Sequence, residues 1–112
     1  MSAIEEVQRS AEPAVAAHAQ QGVNGRFNDV VLEAVHEGYL MHYGQPNGFA
    51  GMDDDLALLA GDSLYALGLA RLAEKGDLES VALLADLITG CAKAHAEDDP
   101  AAAERLWNET SL

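Results

Sequence analysis

Cations are scarce in this chain. Six Lys and Arg stand against 19 Asp and Glu, giving a net charge of −13 at neutral pH. A field of that sign repels nucleic acid and anionic lipid, so neither is expected as a partner. There is one cysteine, Cys91. That excludes an intramolecular disulfide and a cysteine-based zinc site. Cys91 lies inside an apolar helical pattern and reads as a buried, inert thiol. Aromatic residues make up only 5%, and β-branched residues are few, which disfavours sheet. No apolar run free of charge reaches the roughly 18–20 residues of a membrane span, so none is expected. The start, Met-Ser-Ala-Ile-Glu-Glu, lacks the basic region of a signal peptide, and a cytoplasmic protein is expected. Phosphate-cradling Gly-Lys loops, nucleophile signatures and basic stripes are also missing. Kinase, hydrolase and DNA-binding functions therefore lack support, and the chain reads as non-catalytic.

What is present favours helix. The 112 residues are 49% hydrophobic, and Ala, Leu, Glu and Asp dominate. The expected fold is all-α: one domain over 1–112, a small bundle of four to five helices around a central apolar helix at about 53–74. That helix opens on Asp53-Asp54-Asp55 and then runs apolar to Leu72, broken only by Asp62, Ser63 and Arg71. A helix apolar all round is expected to be buried. Its three leading aspartates suit an N-cap and the helix dipole better than a metal.

The other segments have their own punctuation. Residues 2–20 read as a helix opened by a Ser2/Glu5 capping box, with a kink or restart at Pro13 and Ser10 as a possible cap. Gly22 to Gly25 form a turn. A second helix runs from about Asn28 to Tyr43; Val31, Ala34 and Val35 face inward, while Asp29, Glu33 and Glu37 are expected to stay wet. The stretch 44–52 is a long loop pinned by Phe49 and Met52. Gly76 and Asp77 end the central helix and cap the next, about Leu78 to Ala96. Asp99 and Pro100 open a last short helix.

Several residues could carry function. Glu33 and His36 form a Glu-x-x-His pair on one helix face, a pattern that di-iron bundles use twice. A two-fold dimer would supply the second copy, with Glu37, His42 or Asp62 as added ligands. Asp62 sits mid-helix among leucines. A buried carboxylate needs a partner, and Tyr39, His36, His42 or an amide of the 44–52 loop would serve. Gly61 and Gly68, seven apart on one face, imply close approach of another helix, within the chain or across a dimer interface. Trp107, the lone tryptophan, is expected to pack on the bundle or on a partner subunit. His18, His36, His42 and His95 do not form a spaced ligand set, and no cofactor is identified.

Tyr43-Gly44-Gln45-Pro46, Gly48-Phe49 and the run from Asp55 to Leu67 resemble the trans-isoprenyl diphosphate synthases (polyprenyl synthetases). In that family a Gly-(Lys/Gln)-Pro loop leads into a helix reading Leu-Ala-(Val/Leu)-Leu-Ala-Gly-Asp-x-Leu-x-Ala. Leu72 to Ile88 is similar to the helix that follows, and Glu33 to Tyr43 to the one before. The resemblance covers about residues 43–95 and implies a helical core. The family holds allylic diphosphate through magnesium on two Asp-Asp-x-x-Asp motifs. Here His42 is followed by Tyr43 and Gly44, and Asp53-Asp54-Asp55 by Leu-Ala-Leu. Neither motif, the Arg-Arg pair nor the Lys-Thr region occurs, so the resemblance implies a core without its catalytic ends. Two functions follow as expectations. One is a non-catalytic homo-oligomer, such as a dimer, or an accessory subunit of a larger partner. The other is a small metal- or apolar-ligand-binding protein with its site near Glu33, His36, His42 and Asp62.

Overall fold

The computed structural model describes residues 1–112 and contains six helices and no strands. They are α1 (Ala3–Ser10), α2 (Pro13–Ala16), α3 (Val30–Tyr43), α4 (Asp54–Glu74), α5 (Leu78–Ala96) and α6 (Pro100–Glu109). The all-α expectation holds. The chain divides into two compact units, Met1–Arg71 and Leu72–Leu112.

Local chemistry sets the helix ends. Ser2 and Glu5 form the reciprocal capping box of α1, which satisfies two amides that a helix start leaves without partners. Pro13 does more than kink the first segment. It ends α1 and becomes the first residue of α2, where its missing N–H costs nothing. Ser10 is not the cap expected there. Glu12 holds that position without a side-chain bond, and the Ser10 hydroxyl instead accepts from Arg71 Nη2 at 2.8 Å. Asp29 caps α3 through the Leu32 amide at 2.9 Å, and Asp53 caps α4 through that of Leu56 at 2.8 Å.

In the first unit, Val7, Val15, Ala34, Met41, Phe49, Ala60 and Leu64 form the core. The loops on either side of α3 are tied to the N-terminal segment. Gln20 donates its amide to Gly48 O at 2.9 Å and Ala50 to His18 O at 2.9 Å. Gln8 Nε2 donates to both Gln20 O and Gly48 O, at 2.7 and 2.8 Å. Phe49 is 1% exposed and pins the 44–52 loop as expected, with Met52 packed beside it.

Burial corrects the sequence reading in two places. α3, not α4, is the enclosed helix, with every residue from Val31 to Tyr39 buried. Along α4, Leu58 and Leu59 are 49% and 68% exposed. α4 is also long and apolar enough to cross a membrane by length and composition, with a mean hydropathy of 1.4 over 18 residues, although 28% of that window is buried in the protein.

Gly61 and Gly68 allow α4 to approach α3 of the same chain. A Cβ at Gly68 would stand 2.6 Å from Val35 Cγ2, and one at Gly61 would stand 2.7 Å from the His42 ring. Gly38 answers from α3, where a Cβ would meet Gly61 O at 2.8 Å. The backbones therefore approach more closely than side chains permit.

The second unit contains α5 and α6. Asp77 caps α5 through the Ser80 amide at 3.1 Å, after Gly76 turns the chain at φ +71°. Asp99 caps α6 through the Ala102 amide at 3.1 Å. Leu84, Leu87, Cys91, Ala103 and Trp107 are buried, so Trp107 takes the bundle-packing alternative. Burial pushes the Cys91 thiol up to about 11, against a bond from Trp107 that lowers it. Burial of Cys91 thus disfavours the reactive thiolate form.

Candidate functional site

The enclosed helix α3 carries three ionisable side chains on one face. Glu33, His36 and Glu37 stand at i, i+3 and i+4 and are 0%, 4% and 0% exposed. Their ligand atoms all lie within 4.8 Å of one another. This corrects the expectation that Glu33 and Glu37 stay wet. The helical spacing was legible, but the covering loops were not.

Those loops reach the carboxylates through backbone amides. Glu33 accepts from the Arg26 and Phe27 amides at 3.3 and 3.4 Å. Glu37 accepts from Asn47 and Gly48 at 3.0 and 2.6 Å. Each glutamate thus ties one loop to α3. Two glycines leave room for this. A Cβ at Gly25 would fall onto the Glu33 carboxylate, and one at Gly48 would meet Ile4 at 2.7 Å and Glu37 Oε1 at 3.2 Å. A cavity of about 360 Å³ opens beside Glu33, lined in part by Ser2, Ile4, Asn24 and Phe27.

The electrostatics follow from the burial. Desolvation raises Glu33 above the ordinary carboxylate range, and the Glu37 charge adds to the rise. The Arg26 and Phe27 amides act against it. Desolvation likewise raises Glu37, opposed by the Asn47 and Gly48 amides. His36 is lowered to about 4, first by burial and then by the charge of Arg26. At neutral pH its imidazole is uncharged and holds a lone pair. The ring lies between Phe27, edge-on at 5.4 Å, and Tyr39, stacked at 6.0 Å.

His42 and Asp62 form a separate pair. His42 Nε2 lies 3.1 Å from Asp62 Oδ1, with the side chains 17% and 74% exposed. At 3.6 residues per turn, His42 stands about 170° around α3 from the middle of the Glu33 cluster. The site expected from Glu33, His36, His42 and Asp62 is therefore two sites. Asp62 meets His42, one of the partners expected for it, but it is exposed and does not anchor the 44–52 loop. Glu37 fills that role. The sequence signal for Glu37 was its place in Val30 to Met41, where the two glutamates share one face with His36 and most other positions are apolar.

Two carboxylates and a neutral imidazole on adjacent turns are a set of metal donors. Each carboxylate has about four lone-pair sites, so accepting two amides leaves capacity for an ion. Such amide bonds also orient ligating carboxylates at metal sites. Mixed imidazole and carboxylate donors suit zinc, manganese or ferrous iron better than calcium. Comparison with family models, with curated proteins and with solved structures gives no match for this chain.

Proposed function

We propose that this chain is a small helical protein that binds a divalent transition-metal ion through Glu33, His36 and Glu37. One observation carries the reading: three buried donors of suitable type lie within 4.8 Å of one another on a single helix. Burying two carboxylates together is costly, and a dication in their midst offsets that cost. In this reading the ion neutralises the cluster, and the two loops held by Glu33 and Glu37 close over it. The open coordination positions belong to water or to an oxygen or nitrogen ligand.

The test is metal analysis and cobalt substitution on tag-free protein. About one equivalent of metal per chain is expected, with cobalt absorption bands of a site containing nitrogen and oxygen donors. Glu33→Gln and Glu37→Gln each weaken binding about tenfold to a hundredfold. His42→Gln and Asp62→Asn leave it unchanged. Absence of stoichiometric metal after reloading would end this reading, as would loss of metal only in the Asp62 variant.

A second reading, the homo-oligomer or accessory subunit with an isoprenyl-synthase-like helical core, draws on the outward leucines of α4. Light scattering on the purified chain separates a dimer from a monomer. In either reading the net charge of −13 disfavours nucleic acid as a partner.

A further inference from the structure

On the side of α4 turned away from α3, Leu59, Ser63, Ala66 and Ala70 follow one another at steps of four, three and four. Leu59 is 68% exposed, and Ala66 and Ala70 are exposed. This side borders a groove of about 580 Å³ in the first unit, with Ser10, Ala11 and Glu12 on its other wall and Leu64 and Leu67 in its lining. Small residues at Ser63, Ala66 and Ala70 let a helix laid along the trough approach closely, with Leu59 as an apolar contact at one end. Acids edge the trough: Glu12 on one wall, and Asp62, 74% exposed at its side chain, on the other. The nearby guanidinium of Arg71 is already held by Glu6 at 3.3 Å and Ser10 at 2.8 Å.

From the apolar floor and acidic edges we infer that this groove docks an amphipathic helix of another protein, with an apolar stripe flanked by Lys or Arg. The choice of occupant rests on charge. A second copy would bring its own Glu12 and Asp62 to the same edges, and the chain as a whole carries −13. Carboxylate would then face carboxylate across the contact, which disfavours association. A basic-edged helix reverses the sign, and long-range attraction speeds its encounter. An anionic bilayer is repelled by the same edges. This inference rests on the interaction-protein reading and is independent of the metal.

Three synthetic peptides of about 18 residues test it on the full chain by fluorescence anisotropy. One has a Leu/Ala stripe flanked by lysines, one has the same stripe flanked by glutamates, and one is the lysine peptide scrambled to destroy the stripe. The first is expected to bind, the others at least about tenfold more weakly. Raising salt from about 0.05 to about 0.5 M weakens the first complex severalfold. Ala66→Arg, at an exposed position, lowers affinity about tenfold or more, while Glu12→Gln with Asp62→Asn lowers it severalfold at low salt. Circular dichroism checks that each variant keeps its helices. Equal binding of the scrambled peptide overturns the inference, because charge alone then suffices. Preference for neutral phospholipid vesicles over the peptide overturns it in favour of a membrane. A dimer by light scattering that Ala66→Arg turns to monomer also overturns it, yet leaves the interaction-protein reading standing. A monomer that binds none of the three peptides sinks both.

Discussion

Glu37 shows how much one side chain can organise. Its carboxylate accepts the half-buried Asn47 amide and the buried Gly48 amide, so its removal leaves both without this partner. Glu37→Ala is expected to cost about 2–4 kcal/mol and to loosen the 44–52 loop, read by thermal melting and by faster amide exchange at Asn47 and Gly48. An unchanged exchange rate would show that the loop is held by other contacts. Gly25 and Gly22 make a matched pair of tests. A methyl at Gly25 falls onto the Glu33 carboxylate, whereas at Gly22, with φ +70°, it meets open space. Gly25→Ala therefore costs about 1–3 kcal/mol by overpacking, and Gly22→Ala about 1 kcal/mol by backbone strain alone.

The same cluster gives the metal-free protein an unusual response to pH. His36 is held near 4 when folded, against about 6.5 unfolded. Between those values the unfolded chain binds more protons, so the histidine contribution makes stability rise with pH. Glu33 and Glu37 act in the opposite sense. Their folded values are raised, so from the ordinary glutamate range upward the folded chain binds more protons and stability falls with pH. In chelator-treated protein, Glu33→Gln with Glu37→Gln is expected to steepen the rise between about pH 4 and 6.5, and His36→Gln to abolish it. Melting temperatures against pH distinguish the two slopes, and identical profiles in all variants would show that the cluster titrates without linkage to folding.

At the scale of elements, the contact of α3 with α4 is held by glycines rather than by large side chains. Gly68→Ala should raise helix propensity by about 1 kcal/mol. The added methyl would nevertheless stand 2.6 Å from Val35 Cγ2. Overpacking of about 1–3 kcal/mol wins, so the substitution is expected to destabilise. Leu59→Gln, on the outer side of the same helix, changes stability by less than about 0.5 kcal/mol. Urea titrations of the two variants check this contrast, and a stabilised Gly68→Ala would mean that the two helices separate without loss. α4 is apolar on both sides for two reasons. One side needs small residues for α3, and the other leaves leucine and alanine in water.

For the whole molecule, the surplus of acids opposes folding through self-repulsion. Ion pairs such as Arg71 with Glu6 at 3.3 Å and Lys93 with Glu97 at 3.9 Å offset it only in part, because exposed pairs contribute little. Adding sodium chloride to about 0.5 M is therefore expected to raise the melting temperature, by the equivalent of about 1 kcal/mol. A fall would mean that the attractive pairs outweigh the repulsion.

Read alone, the sequence determined the all-α class and most helix ends. Ser2 with Glu5, Asp53, Gly76 with Asp77 and Asp99 with Pro100 each act within four residues of chain, so their roles follow from local geometry. Only the tertiary structure decided which helix would be enclosed. Apolar content pointed to α4, but α3 is covered on all sides because the Gly25 and Gly48 loops fold over its glutamates. Those contacts join residues that local pattern does not connect, and they turned two carboxylates expected in water into buried neighbours of His36.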